Sequence, residues 1–257
     1  MNKKKILIGI LAIIILMLTI SFVYLGTGNY KADKEALKYL NSTQTVNVSK
    51  IEEGYFFDGP SEDTAIIFYP GAKVEYTAYA KLMFKIAENG YDTFLIKMPF
   101  NLAIFGVNKA KNIIEDYDYE NFYVSGHSMG GVMAFVYASD YPEKIKGAIA
   151  LASYPAKDLP EDIEYISILG SEDKVLNKEK YEEAKKYLPK NNEEHIVEGG
   201  NHSGFADYGE QKGDGKAKIT NEEQQENIIK ILENINRDII KNEWLKNKQW
   251  IWYINKN

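Results

Sequence analysis

Hydrophobic positions fall along this chain in three regimes. The first is an unbroken apolar run at residues 6–25, without a charge and directly preceded by Lys3, Lys4 and Lys5. As a helix rising about 1.5 Å per residue, such a run matches a bilayer core of roughly 30 Å. The lysines ahead of it should stay cytoplasmic, leaving everything after it outside. Residues 1–28 therefore read as a single-pass membrane anchor and spacer, and 29–257 as the globular domain. A cleaved signal segment, which would release a secreted protein, is the competing reading. It fits less well, because the run exceeds a signal-peptide core and no small-x-small cleavage site follows before Tyr30.

The second regime starts near Thr64, where short β-rich apolar runs alternate with longer helical stretches. That is the pattern of βαβ units around a mostly parallel sheet flanked by helices. Strands are predicted at 65–69, 93–97, 122–125, 145–152, 165–169 and 194–197, and helices at 76–88, 109–116, 129–139 and 178–187. Ahead of them, 31–40 has the composition of a helix, and 45–57 reads as a strand pair broken at Gly54. Near-continuous apolar strands such as Gly147-Ala-Ile-Ala-Leu-Ala152 suit a sheet covered on both faces. In the third regime, a Gly-rich polar loop at 209–215 precedes a helix from about Asn221. Its apolar positions Ile228, Ile229, Leu232, Ile235, Ile239 and Ile240 recur at helical spacing. The aromatic end at 244–253 is expected to pack on the same core, with a place at the membrane surface, which Trp and Tyr favour, as the alternative.

A chain of 257 residues, 45% hydrophobic, fits one α/β domain, and its net charge of −6 argues against a nucleic-acid partner. The absence of cysteine removes disulfides, thiolate metal sites and a lipidated-cysteine anchor. Heavy use of Lys, Asn and Ile suggests an AT-rich bacterial genome, with a Gram-positive cell surface as one consistent location.

Chemistry concentrates in Gly126-His127-Ser128-Met129-Gly130, set between a predicted strand and a predicted helix, the context that a nucleophile elbow requires. The glycines have a steric reason: a Cβ on either side of so tight a turn would clash. A serine hydroxyl needs a base to accept its proton, and the base needs an acid to orient it. Of three histidines, His127 lies within the elbow and is expected to point elsewhere, and His195 sits in a strand. His202, in the loop after the last strand, is the expected base. The acid should lie between serine and base in the chain, and Asp173 just past a predicted strand fits, with Glu172 as its neighbouring alternative. Two backbone donors for a developing oxyanion are expected at Met129 and, from the Pro70-Gly71 turn, at Ala72.

Several blocks together resemble the compact bacterial α/β-hydrolase fold-5 group. They are Tyr69-Pro-Gly71 with Val74, Gly126-His-Ser-Met-Gly-Gly131, Ala152-Ser-Tyr-Pro155, Gly170-Ser-Glu-Asp173, Gly199-Gly-Asn-His202 and Phe205-Ala-Asp-Tyr-Gly209. The resemblance spans about 65–225. It implies an α/β-hydrolase fold with Ser128, Asp173 and His202 as the triad and a minimal lid or none, and the acyl-transfer chemistry expected of that triad calls for no metal or cofactor. From that openness we expect bulky, water-exposed esters to be accepted more readily than buried lipids. The block at 211–215 also resembles the group, without an evident role. The expected function is hydrolysis of an ester or related acyl bond of a small molecule. An acyltransferase, a peptidase and a noncatalytic surface module are the alternatives, and oligomeric state is left open.

Overall fold

The computed structural model describes residues 3–60 and 63–233. Ile235, Ile239 and Ile240 and the aromatic stretch at 244–253 lie outside them. Helix α1 (Lys3–Gly26) precedes the body. Among the described residues no helix is long and apolar enough to cross a membrane.

The body is a single eight-stranded sheet in the order β1-β2-β4-β3-β5-β6-β7-β8. β1 (Asn47–Ile51) and β2 (Gly54–Asp58) run antiparallel at one edge. From β4 (Asp92–Ile96) through β3 (Thr64–Tyr69), β5 (Asn121–His127), β6 (Ile145–Leu151), β7 (Glu164–Gly170) and β8 (Asn192–Val197), all pairs are parallel. Because side chains alternate along a strand, each strand feeds two cores. Ile66 and Phe68 pack on one face with α3 (Ala80–Glu88) and with Ile228 and Leu232 of α7 (221–233), the helix that follows α6 (Lys178–Ala184) in the chain. Ala65, Ile67 and Tyr69 pack on the other with α4 (Lys109–Asp116) and α5 (Met129–Asp140). The apolar continuity of the central strands thus reflects burial on both sides.

The expected helix at 31–40 shortens to α2 (Lys34–Lys38). Its predicted first residues are drawn into tertiary bonds instead: the Ala32 N–H donates to the Glu75 carboxylate at 3.2 Å, and the Asp33 N–H donates to the Asp207 carbonyl at 2.8 Å. The helix expected at 76–88 opens as a 3-10 turn, Tyr76–Tyr79, before α3. The strand expected to reach Ala152 stops at Leu151, where Ala152 turns to φ 46°. Between β6 and β7 the connection at 152–163 contains no helix, which leaves the C-terminal ends of the strands without a lid.

Candidate active site

Ser128 stands between the end of β5 and the start of α5 with φ 52° and ψ −127°. A non-glycine residue there carries strain of order 1–3 kcal/mol, and the surroundings must hold it. They do so through close backbone approach. A Cβ at Gly126 would lie 2.5 Å from the Gly131 nitrogen, and one at Gly130 would lie 2.2 Å from the Tyr69 carbonyl oxygen. The Ser128 N–H donates to the Leu151 carbonyl at 3.0 Å, and the buried Ser153 hydroxyl donates to the Ser128 carbonyl at 2.7 Å. Ser128 itself is half-buried, and Met129 is exposed.

Asp173 and His202 come from separate loops, after β7 and after β8, and meet with both side chains buried. His202 Nδ1 donates to Asp173 Oδ2 at 2.8 Å, and the Val175 and Leu176 amides donate to Oδ1 at 2.8 and 2.9 Å. Burial pushes the Asp173 pKa up, but the His202 ring and these amides outweigh it and hold the carboxyl below its ordinary value. With the proton on Nδ1, the Nε2 lone pair of His202 is available as an acceptor. Glu172, the alternative acid, pairs instead with Lys218. His195 sits on β8 beside Glu193, at 3.0 Å.

The turn after β3 lies against the start of α5, as the Gly130 contact requires. Its Gly71 amide donates to the Tyr79 hydroxyl at 3.1 Å and its Lys73 amide to the Asn101 carbonyl at 2.8 Å. The Ala72 amide between them has no acceptor among the described residues. Met129 supplies the first amide of α5, where helix N–H groups lack intrahelical acceptors.

Three supporting residues escaped the sequence reading. Asp214, in the Gly-rich block without an evident role, accepts the His202, Ser203 and Gly215 amides at 3.3, 2.8 and 2.7 Å and the Lys174 amide at 3.4 Å. One carboxylate thus ties the loop bearing Asp173 to the loop bearing His202. Gln224 of α7 clamps the same base loop, accepting from the Asn201 amide at 3.0 Å and donating to its carbonyl at 2.8 Å. His127, expected to point elsewhere than the elbow serine, packs its ring against that of His202 with centroids 4.4 Å apart. Its Nδ1 accepts the Tyr79 hydroxyl at 2.7 Å, and burial, reinforced by the His202 charge, drives its pKa well down. The only sequence signal for Asp214 was its place in the family-like block. His127 and Gln224 had no signal of partnership, because their contacts span the fold.

A cleft of about 570 Å³ opens behind the base loop, lined in part by Asn201, Ser203, Gln211, Asp214 and Asn221. None of its lining residues belongs to the elbow, so it borders the site without being the space above Ser128. Among the described residues no group of three or more His, Cys, Asp or Glu is placed to hold a metal ion.

A strand, a strained serine, a helix and a buried His–Asp pair at the C-terminal edge of a mostly parallel sheet define the α/β-hydrolase class. The chain belongs to the alpha/beta hydrolase family, whose model matches residues 65–226. Similar solved structures carry the same fold at low identity. One, described as a predicted CIB-like hydrolase from Thermoplasma acidophilum, is 17% identical with a TM-score of 0.55, covering 74% of this chain and 99% of its own. A monoacylglycerol lipase from Paleococcus ferrophilus is 16% identical with a TM-score of 0.54, covering 74% and 99%. Est1E from Butyrivibrio proteoclasticus is 13% identical with a TM-score of 0.53, covering 77% and 100%.

Proposed function

We propose that this chain is a serine hydrolase that cleaves a carboxylic ester, or a related acyl bond, through an acyl-enzyme on Ser128. The observation that carries the reading is the buried 2.8 Å His202–Asp173 pair, at the same edge of the sheet where Ser128 is held at φ 52°. In this mechanism His202 Nε2 accepts the Ser128 proton as Oγ attacks the carbonyl carbon. The oxyanion forms against the Met129 and Ala72 amides. Collapse expels the alcohol, which takes the proton back from His202, and water then repeats the sequence to release the acid and regenerate Ser128. Asp173 holds the Nδ1–H tautomer and stabilises the imidazolium in both halves. Description of one fold neighbour as a monoacylglycerol lipase accords with ester chemistry.

The apolar run at 6–25 after three lysines supports a second part of the reading, that the domain is held at the outer face of the membrane by its N-terminal segment. Labelling with a fluorophosphonate, read by intact mass, tests the chemistry. One adduct on wild type and none on Ser128→Ala or His202→Ala is the expected result, and a folded wild type that stays unlabelled overturns the hydrolase reading. Alkaline extraction of membranes tests the anchor: the protein should stay in the pellet, and recovery in the supernatant overturns that part alone.

A further inference from the structure

The chain leaving α1 is fastened directly to the rim of the candidate site. Gly26 ends the helix, and only Thr27, Gly28 and Asn29 separate it from Tyr30. The Tyr30 amide donates to the Lys73 carbonyl at 2.7 Å, and the Glu75 amide donates to the Tyr30 carbonyl at 2.8 Å. Lys73 Nζ also donates to the Thr27 carbonyl at 3.2 Å. On its other side Tyr30 stacks at a tilt on Tyr208, with centroids 5.4 Å apart, and its hydroxyl accepts the Lys212 amide at 3.2 Å. The tether therefore grips both the turn bearing Ala72 and the block that follows His202. Four chain steps at full extension reach about 14 Å, so the end of α1 lies within that distance of Tyr30, which is itself hydrogen-bonded to the oxyanion turn.

The same rim is apolar. Outside α1, seven large apolar side chains are more than one-third exposed among the described residues, and four of them, Phe100, Ile104, Phe105 and Met129, flank this mouth. Lys73 and Asn101 bond the turn after β3 to the loop after β4, and the 3-10 turn Ala103–Phe105 packs against α5. Phe100 and Asn101 are held at φ 54° and 53°, a cost of order 1–3 kcal/mol each, and the Phe100 ring stays exposed. Exposed Lys97 and half-exposed Lys109 flank this apolar segment along the chain and carry charge complementary to anionic headgroups.

We infer that this rim rests on the leaflet from which α1 emerges, and that the site draws its substrate from that leaflet as a long-chain acyl ester. This deepens the hydrolase and anchor readings above and rests on both. It also reverses the preference for water-exposed esters expected from the missing lid. An open mouth needs no lid when the bilayer itself covers it, and apolar side chains at an interface gain by leaving water.

The absence of cysteine makes the test direct. Full-length Ile104→Cys and, as a control at the opposite edge of the sheet, Lys190→Cys are each labelled with an environment-sensitive fluorophore. Both are placed in phosphatidylcholine–phosphatidylglycerol vesicles with or without brominated acyl chains. The probe at 104 should shift to the blue and be quenched by bromine, and the probe at 190 should do neither. In parallel, hydrolysis of 4-methylumbelliferyl oleate in the vesicles is divided by hydrolysis of the soluble butyrate. Phe100→Ser/Ile104→Ser/Phe105→Ser, checked for folding by its melting curve, should lower that ratio about tenfold or more. A vesicle-bound protein whose 104 probe stays water-like, or an unchanged ratio, overturns the inference while leaving both parent readings intact. Failure to associate with vesicles overturns the anchor and this inference together. An inserted 104 probe on a protein that cleaves neither ester overturns the hydrolase reading and the substrate assignment, and keeps only the docking face.

Discussion

The two edges of the parallel sheet use the same residue types for different ends. At the N-terminal edge, buried Asp92 accepts the Gly59 amide at 2.7 Å and the Tyr119 hydroxyl, and Glu164 accepts the Tyr123 hydroxyl at 2.8 Å. Those donors do not change their charge near neutral pH, and no backbone there is forced. At the C-terminal edge, buried Asp173 faces a histidine, and all five non-glycine residues with positive φ among the described residues gather: Lys73, Phe100, Asn101, Ser128 and Ala152. A buried carboxylate is thus no sign of chemistry by itself. What distinguishes the second edge is a titratable partner type for the carboxylate, a histidine, and a strained serine at the same strand ends. Strain gathers there because the connections after β3, β4, β5 and β6 turn sharply over one another instead of continuing the sheet.

The comparison breaks most visibly at the serine. Ser128→Ala should reduce kcat/KM for a soluble ester by about 10⁴-fold or more, with an unchanged melting temperature to within a few degrees. Asp173→Asn comes next, at about 10³-fold in kcat, because an amide facing Nδ1 favours the wrong tautomer. If Asp173→Asn kept wild-type turnover while Asp92→Asn lost it, the assignment of the two edges would be reversed.

Asp214 sharpens the comparison, since its carboxylate meets only amides, as structural carboxylates do, yet sits at the chemical edge. Asp214→Ala leaves the His202 and Ser203 amides without their acceptor and frees the base loop from the Asp173 loop. A misplacement near 1 Å is enough to cost about 10²-fold. We expect that loss in kcat with KM nearly unchanged, and partial recovery in Asp214→Asn, which retains one oxygen acceptor. A variant that loses stability alone, with full turnover per folded molecule, would place Asp214 with Asp92.

Much of this architecture was legible in the sequence because it depends on local pattern. The strands from β3 to β8 show as short apolar runs, and the elbow shows because its glycines are adjacent to Ser128. Asp173 and His202 were placed by chain order and by resemblance, not by any local signal of their meeting. What stayed hidden depends on contacts between distant segments. Residues 31–33 read as the start of a helix, and only the docking of the adjoining chain, Tyr30 on Lys73, Val74 and Glu75 and Asp33 on Asp207, holds them out of it. Gln224 reads as a polar position on an amphipathic helix, and its clamp on Asn201 exists only once α7 docks. The positive φ values of Phe100 and Asn101 have no glycine to announce them.

At the structural edge the expected effects are thermodynamic. Asp92→Asn removes the charged acceptor from the Gly59 amide and the Tyr119 hydroxyl, so denaturant unfolding should show a loss of about 2 kcal/mol. Activity per folded molecule should stay at the wild-type level, because the change lies a full strand length from Ser128.

The smallest effect separates the two histidine-linked groups at the chemical edge by pH. The pKa of His127 in the folded protein is depressed, first by burial and then by the neighbouring His202. Below about pH 6.5 an unfolded chain takes up a proton at this histidine that the folded protein refuses. Stability therefore falls as pH drops from about 6.5, by at most about 1.4 kcal/mol per pH unit, until the depressed folded pKa is reached. The Asp173 pKa is also depressed, but a carboxylate loses its contribution in a lower window, below its ordinary value near 3.9. Between pH 5 and 6.5 it is ionised in both states and adds no slope. Unfolding free energies measured across that interval should consequently fall with acid in wild type and fall less in His127→Gln, which retains an acceptor for the Tyr79 hydroxyl. Equal slopes in the two proteins would mean that His127 takes up its proton in the folded state as readily as in the unfolded one, and that its burial against His202 is relieved when it does.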